Sequence, residues 1–124
     1  MCYGTMYSMV VQREVTWLAQ LRRGVVEHCV LALLSHGESY GFDIAHTLTE
    51  TYRLDMSEGT LYPLLARLDR QGLVASTWKS SSNGPSRRYY SITDAGARSL
   101  EEFKRYWEVF KGYVDNILAM QGGL

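Results

Sequence analysis

The sequence is short of several things, and each shortage removes a class of protein. Only two cysteines, Cys2 and Cys29, occur in 124 residues, too few for a disulfide framework. Cys29 lies in an apolar run and reads as a small buried hydrophobe. The three histidines, His28, His36 and His46, do not stand at zinc-ligand spacings, so no metal and no cofactor is expected. No window approaches the roughly 20 apolar residues of a membrane span. Residues 1–11 have neither a positive n-region nor a sustained apolar core, so no signal peptide is expected and a cytoplasmic location follows. Excess charge of one sign is also missing, with 13 Lys+Arg against 13 Asp+Glu. The chain offers no Ser-His-Asp or Cys-His grouping, no phosphate loop and no evident carboxylate pair, and an enzyme is not expected.

What is present is unevenly placed. Residues 37–56 hold Glu38, Asp43, Glu50 and Asp55 against Arg53, whereas residues 57–92 hold Arg67, Arg70, Lys79, Arg87 and Arg88 against Glu58 and Asp69. A neutral total therefore hides a basic middle. For phosphate contact, a basic face matters more than a basic total. A plain solvated surface has the same pattern, so charge alone decides little.

The hydrophobic period sets the elements. From about Glu14, Leu18, Leu21, Val25, Cys29 and Leu33 recur at steps of three and four, which predicts a helix ending near Ser35. Ser39 is the expected N-cap of a second helix whose apolar stripe is Tyr40, Ile44 and Leu48. Ser57 is the expected cap of a third, with Leu61, Leu64, Leu65 and Leu68 on one face and Gly72 as its stop. Pro63 falls beyond the first turn, where it removes a backbone hydrogen bond. Either the helix distorts there or it begins later. Residues 73–79 and 86–93 are rich in strand formers and flank a loop with an Asn83-Gly84 turn signal, which predicts a hairpin. Thr93 caps a last helix to about Met120, with Leu100, Phe103, Trp107, Phe110, Val114 and Ile117 forming a heptad seam.

The predicted fold is mainly α with a β-hairpin wing: a winged helix-turn-helix plus a long C-terminal helix. In such a unit the third helix lies in the DNA major groove and the hairpin lies along the neighbouring backbone or minor groove. The non-core face of the third helix offers Glu58, Thr60, Tyr62, Arg67 and Arg70, and the hairpin offers Lys79, Ser81, Ser82, Asn83, Gly84, Arg87 and Arg88. Each has a bland alternative. Arg67 and Arg70 also suit the wet face of an amphipathic helix, and Arg87 and Arg88 point to opposite sides of a strand.

Several strings resemble the PadR-type transcriptional regulators: Tyr40-Gly41-Phe42-Asp43-Ile44, the run Ser57 to Leu68 with Gly-Thr-Leu-Tyr-Pro at 59–63, Gly72-Leu73-Val74, Gly84 to Thr93, and Gly96. The stretch from Leu21 to Leu34 looks like the family's first helix, and the likeness covers roughly residues 17–120. The family carries proline inside its recognition helix, which accounts for Pro63. The resemblance implies a repressor that binds a palindromic operator as a homodimer, made by the last helix packing on the partner's first helix. A single C-terminal helix is similar to the short subfamily, in parts of which last-helix aromatics line a cavity for flat apolar effectors.

The expected division is an N-terminal arm or helix extension at 1–16, a DNA-binding domain at 17–93 and a dimerisation helix at 94–124. The candidate DNA contacts are Tyr40, Ser57, Glu58, Thr60, Tyr62, Arg67, Lys79, Asn83, Gly84, Arg87 and Arg88. Thr60 and Arg67 are expected on base edges and Tyr62 on phosphate. Leu18, Leu21, Val25, Leu100, Phe103, Trp107, Phe110, Val114 and Ile117 are the candidate dimer interface. Phe103, Trp107 and Phe110 are also candidates for an aromatic effector, although aromatics at such a seam are ordinary interface packing. The expected partners are operator DNA, a second copy of the chain and a small aromatic effector. Two other readings remain open: a drug sensor with ligand binding as its main role, and a protein-interaction module on the same fold.

Overall fold

The computed structural model describes residues 24–120. The expected arm at 1–16, the start of the first helix, Leu18 and Leu21 lie outside the described residues. Within them the order is α1 (Val26–Leu34), β1 (Ser39–Tyr40), α2 (Gly41–His46, continued by a π-helical turn Thr47–Thr51), α3 (Glu58–Arg70), β2 (Val74–Ser81), β3 (Gly84–Ile92) and α4 (Asp94–Leu118). The sheet is antiparallel in the order β1-β3-β2. This is a winged helix-turn-helix carrying a long C-terminal helix.

The caps follow local rules. Ser57 Oγ accepts from the Thr60 amide at 3.2 Å, opening α3. Thr93 Oγ1 accepts from the Gly96 amide at 3.0 Å, opening α4. At the end of α3, Leu73 N donates to Leu68 O and Gly72 N to Asp69 O, with Gly72 at φ +75°. That pair of bonds is a Schellman stop, which needs a left-handed residue at this position. Pro63 sits inside α3, and the helix stays continuous around it. Pro63 and Gly59 are both exposed, so solvent can serve the Gly59 carbonyl that lacks its helical donor.

Two elements differ from the sequence expectation. Ser39 does not cap α2. Ser39 and Tyr40 are extended and pair with Tyr90 and Tyr89 of β3, and the helix begins at Gly41. Ladder bonds to a distant strand outweigh the local cap. The hairpin strands also run further than expected, to Ser81 and from Gly84, which leaves Ser82 and Asn83 as the tip.

The core is one cluster. Val30, Leu31 and Leu34 of α1, Ile44 and Leu48, Leu61, Leu65 and Leu68 of α3, Val74 and Tyr90 meet in it, and Leu100 of α4 joins them. No polar or charged residue is buried among the described residues, so α3 is held by apolar burial on one face and leaves the other to solvent.

Candidate nucleic-acid interface

The open face of α3 begins with its cap. Ser57 Oγ lies 3.0 Å from Thr60 Oγ1, so the two hydroxyls meet at the first turn, which also carries Glu58. Tyr62 comes next, 44% exposed. Its ring lies against Gly41 so closely that a Cβ on Gly41 would come within 2.5 Å of it. Burial, then the Glu58 charge and then Tyr90, push the Tyr62 phenol above its ordinary pKa. The hydroxyl is therefore a proton donor throughout the neutral range, as a phosphate contact requires. Arg67 lies further along, where its guanidinium is held by Glu27 of α1. That places Arg67 against α1 in this conformation, on a flank of the helix.

The hairpin register sorts the wing side chains by face. Trp78 stands opposite Arg88, and Lys79 opposite Arg87. Arg88 turns toward α3, where Nη2 reaches Asp69 Oδ2 at 3.2 Å and Nε reaches Ser76 Oγ at 3.0 Å. Arg87 is on the other face, 4.6 Å from the centroid of the Tyr40 ring. Lys79 shares that face, over the Tyr89 ring and paired with Glu38. So Tyr40 acts as a platform for Arg87, and the two arginines leave the strand on opposite faces yet both line the cleft between α3 and the wing. Asn83 and Gly84 lie at the exposed tip.

Between α3 and the wing is an open cleft of about 380 Å³ lined by Gly41, Tyr62, Trp78, Ser86, Arg88 and Tyr90, among others. Sequence reasoning did not single out Trp78 or the carboxylates Glu27, Glu38 and Asp69 that hold the candidate cations. The carboxylates meet their cations over long sequence separations, as with Glu27 and Arg67, 40 residues apart. Trp78 had a signal, because a large apolar residue toward the hairpin tip, followed by Lys79, Ser80, Ser81 and Ser82, lies beyond the reach of the core.

The C-terminal helix divides at its first two turns. Leu100 is buried, 4% exposed, in the protomer's own core, which corrects its place in the expected interface. Its position close to the Thr93 cap holds it over the core. Phe103 stacks on His28 of α1 at 4.1 Å, Trp107 follows at 6.0 Å from Phe103, and Ser99 Oγ lies 3.4 Å from His28 Nε2. Val25, just before α1, is half-buried. Beyond this clasp the seam is open: Phe110 is 60% and Ile117 62% exposed, with Val114 partly exposed between them.

The family model described as "Transcriptional regulator PadR-like family" matches residues 30–102, from the middle of α1 to just past Leu100. The chain belongs to the PadR-like transcriptional regulators. A PadR-like transcriptional regulator from Bacillus cereus is 41% identical, with 82% of this chain and 99% of that one covered at a TM-score of 0.73. A PadR family regulator from Eggerthella lenta is 33% identical, covering 94% and 99% at 0.79. Bacillus subtilis PadR, solved in complex with operator DNA, is 26% identical, covering 66% of this chain and 47% of that chain at 0.59. The matched region of this PadR-like chain takes in all the candidate DNA contacts, while the whole open seam lies past its end.

Proposed function

We propose that this PadR-like regulator binds a palindromic operator as a homodimer and acts as a repressor in the cytoplasm. The observation that carries the reading is the continuous surface made by the open face of α3 and the wing. It brings Tyr62, Arg88 and Arg87 around one cleft, with Thr60 exposed on the same helix and Lys79 opposite Arg87 in the hairpin. Supporting it, a solved relative holds operator DNA. Residues 17–93 form the reading head and 94–124 the dimerisation arm. The open seam beyond Phe103, through Phe110 to Ile117, is the surface on which a second copy would pack, since exposed apolar faces of this kind mark interaction sites. A twofold dimer sets two α3 helices about 34 Å apart, one helical turn of DNA, or a multiple of it.

Thr60 reads base edges in this scheme, Tyr62 donates to phosphate, and the wing cations supply salt-sensitive affinity. Arg67 joins them only by leaving Glu27. The test is binding of the full chain to DNA upstream of its own gene, against scrambled competitor, at two salt concentrations. Specific binding is expected, weakened at least about tenfold in Arg87→Ala/Arg88→Ala, with a salt slope smaller by roughly four, because each protomer of the dimer loses two cations. Binding that is indifferent to both arginines would overturn the assignment of the wing.

The stacked column His28–Phe103–Trp107 favours a second role for the same dimer, as a sensor of flat aromatic effectors. A ligand on Trp107 would release DNA only by preferring one spacing of the two heads. Quenching of tryptophan emission by such compounds, abolished in Trp107→Phe, tests it.

A further inference from the structure

Trp78 is 69% exposed, more open than any other aromatic residue among those described. It packs into no core, and it sits where a surface indole is costly. Its place on the sheet is fixed by register: directly opposite Arg88, on the face that carries buried Val74 and Tyr90 at its inner end. That face turns toward α3, so Trp78 forms one wall of the cleft whose other wall is Tyr62. Arg88 lies next to it, and Ser86 completes the outer lip. An apolar plane flanked by a cation and hydroxyls fits a nucleic-acid backbone, in which apolar deoxyribose rings alternate with anionic phosphates.

We infer that Trp78 is a direct DNA contact, packing its indole on the deoxyribose next to the phosphate that Arg88 neutralises. The inference rests on the DNA-binding reading above and adds to it a non-ionic component. The distinction has a physical signature. A cation on phosphate releases counterions, so its loss lowers the dependence of affinity on salt. An aromatic plane on sugar or base releases none, so its loss lowers affinity by the same factor at every salt concentration.

The experiment uses the full chain and a short mixed-sequence DNA duplex. The sequence has three tryptophans, and Trp17→Phe/Trp107→Phe leaves Trp78 as the sole indole. Duplex is expected to quench its emission and shield it from acrylamide. Trp78→Ala is expected to weaken binding roughly tenfold with an unchanged salt slope, from the apolar area each protomer no longer buries, and Trp78→Phe to restore most of it. Because the side chain is outside the core, circular dichroism and melting temperature of Trp78→Ala should match the parent. If duplex binds while Trp78 stays fully open to acrylamide, the contact is absent and the DNA reading survives. If neither the parent nor the variant binds duplex at low salt, both fail together.

Discussion

The head and the outer half of α4 follow the same sequence rule with opposite results. In α3 the stripe Leu61, Leu64, Leu65 and Leu68 is buried, three of its four members completely. In α4 the stripe continuing past Phe103, at the same steps of three and four, stays open at Phe110 and Ile117. Apolar period marks which side of a helix avoids water, but it does not say what covers that side. For α3 the cover is α1, α2 and the sheet. For α4 it is the protomer only as far as Leu100 and the His28–Phe103 stack, after which the helix leaves the body. At 1.5 Å per residue the helix is about 37 Å long, and its outer part has the proportions of an arm.

The sharpest way to break this contrast is to charge the arm. Phe110→Glu/Ile117→Glu puts two carboxylates on the seam and none in the head. Sedimentation or light scattering should find monomer in place of dimer, and operator affinity should fall by orders of magnitude, because two linked heads lose their shared site. The head's fold, read by circular dichroism, should be unchanged. A variant that stays dimeric would mean that the seam is not the interface.

Smaller truncations separate the two stripes by thermodynamics. Leu65→Ala removes a fully buried side chain and should cost about 2–5 kcal/mol through lost transfer energy and a residual cavity. Ile117→Ala should act through association, lowering the melting temperature more at low protein concentration than at high. Melting curves of both variants across a concentration series distinguish the cases. Equal, concentration-independent losses would erase the distinction between core and seam.

The parts legible in the sequence obey local rules. Ser57 and Thr93 read as caps because a hydroxyl three residues before a free amide needs only its neighbours. Gly72 reads as a stop for the same reason. The Leu61–Leu68 stripe is legible because it repeats. Strand β1 was not, because Ser39 and Tyr40 are extended only through pairing with Tyr90 and Tyr89, about fifty positions later in the chain. The candidate cations were legible as types and not as states. Arg67, Arg88 and Lys79 each meet a carboxylate from another element, Glu27, Asp69 and Glu38, and no spacing rule links them. These pairs reconcile a neutral total charge with a basic middle. The three cations are about half exposed, two of the carboxylates somewhat less and Glu27 least, so the pairs of Lys79 and Arg88 are worth little to stability, and exchange of carboxylate for phosphate is cheap there.

The smallest effect comes from a residue that touches no ligand. Gly41 opens α2, and the Tyr62 ring occupies the place where its Cβ would be. The backbone there needs no glycine, because Gly41 is not among the glycines at positive φ. The requirement is space. Gly41→Ala should therefore leave α2 intact and push the Tyr62 ring outward, out of the cleft. Duplex affinity should drop by a few-fold, comparable to Tyr62→Phe, with a loss of stability on the order of 1 kcal/mol from the overpacked contact. Combining Gly41→Ala with Tyr62→Phe should cost little more affinity than either alone, since both act on one hydroxyl. Full additivity in that double-mutant cycle would show that Gly41 and Tyr62 serve separate purposes, and that the close packing of α2 on α3 does not position the phosphate donor.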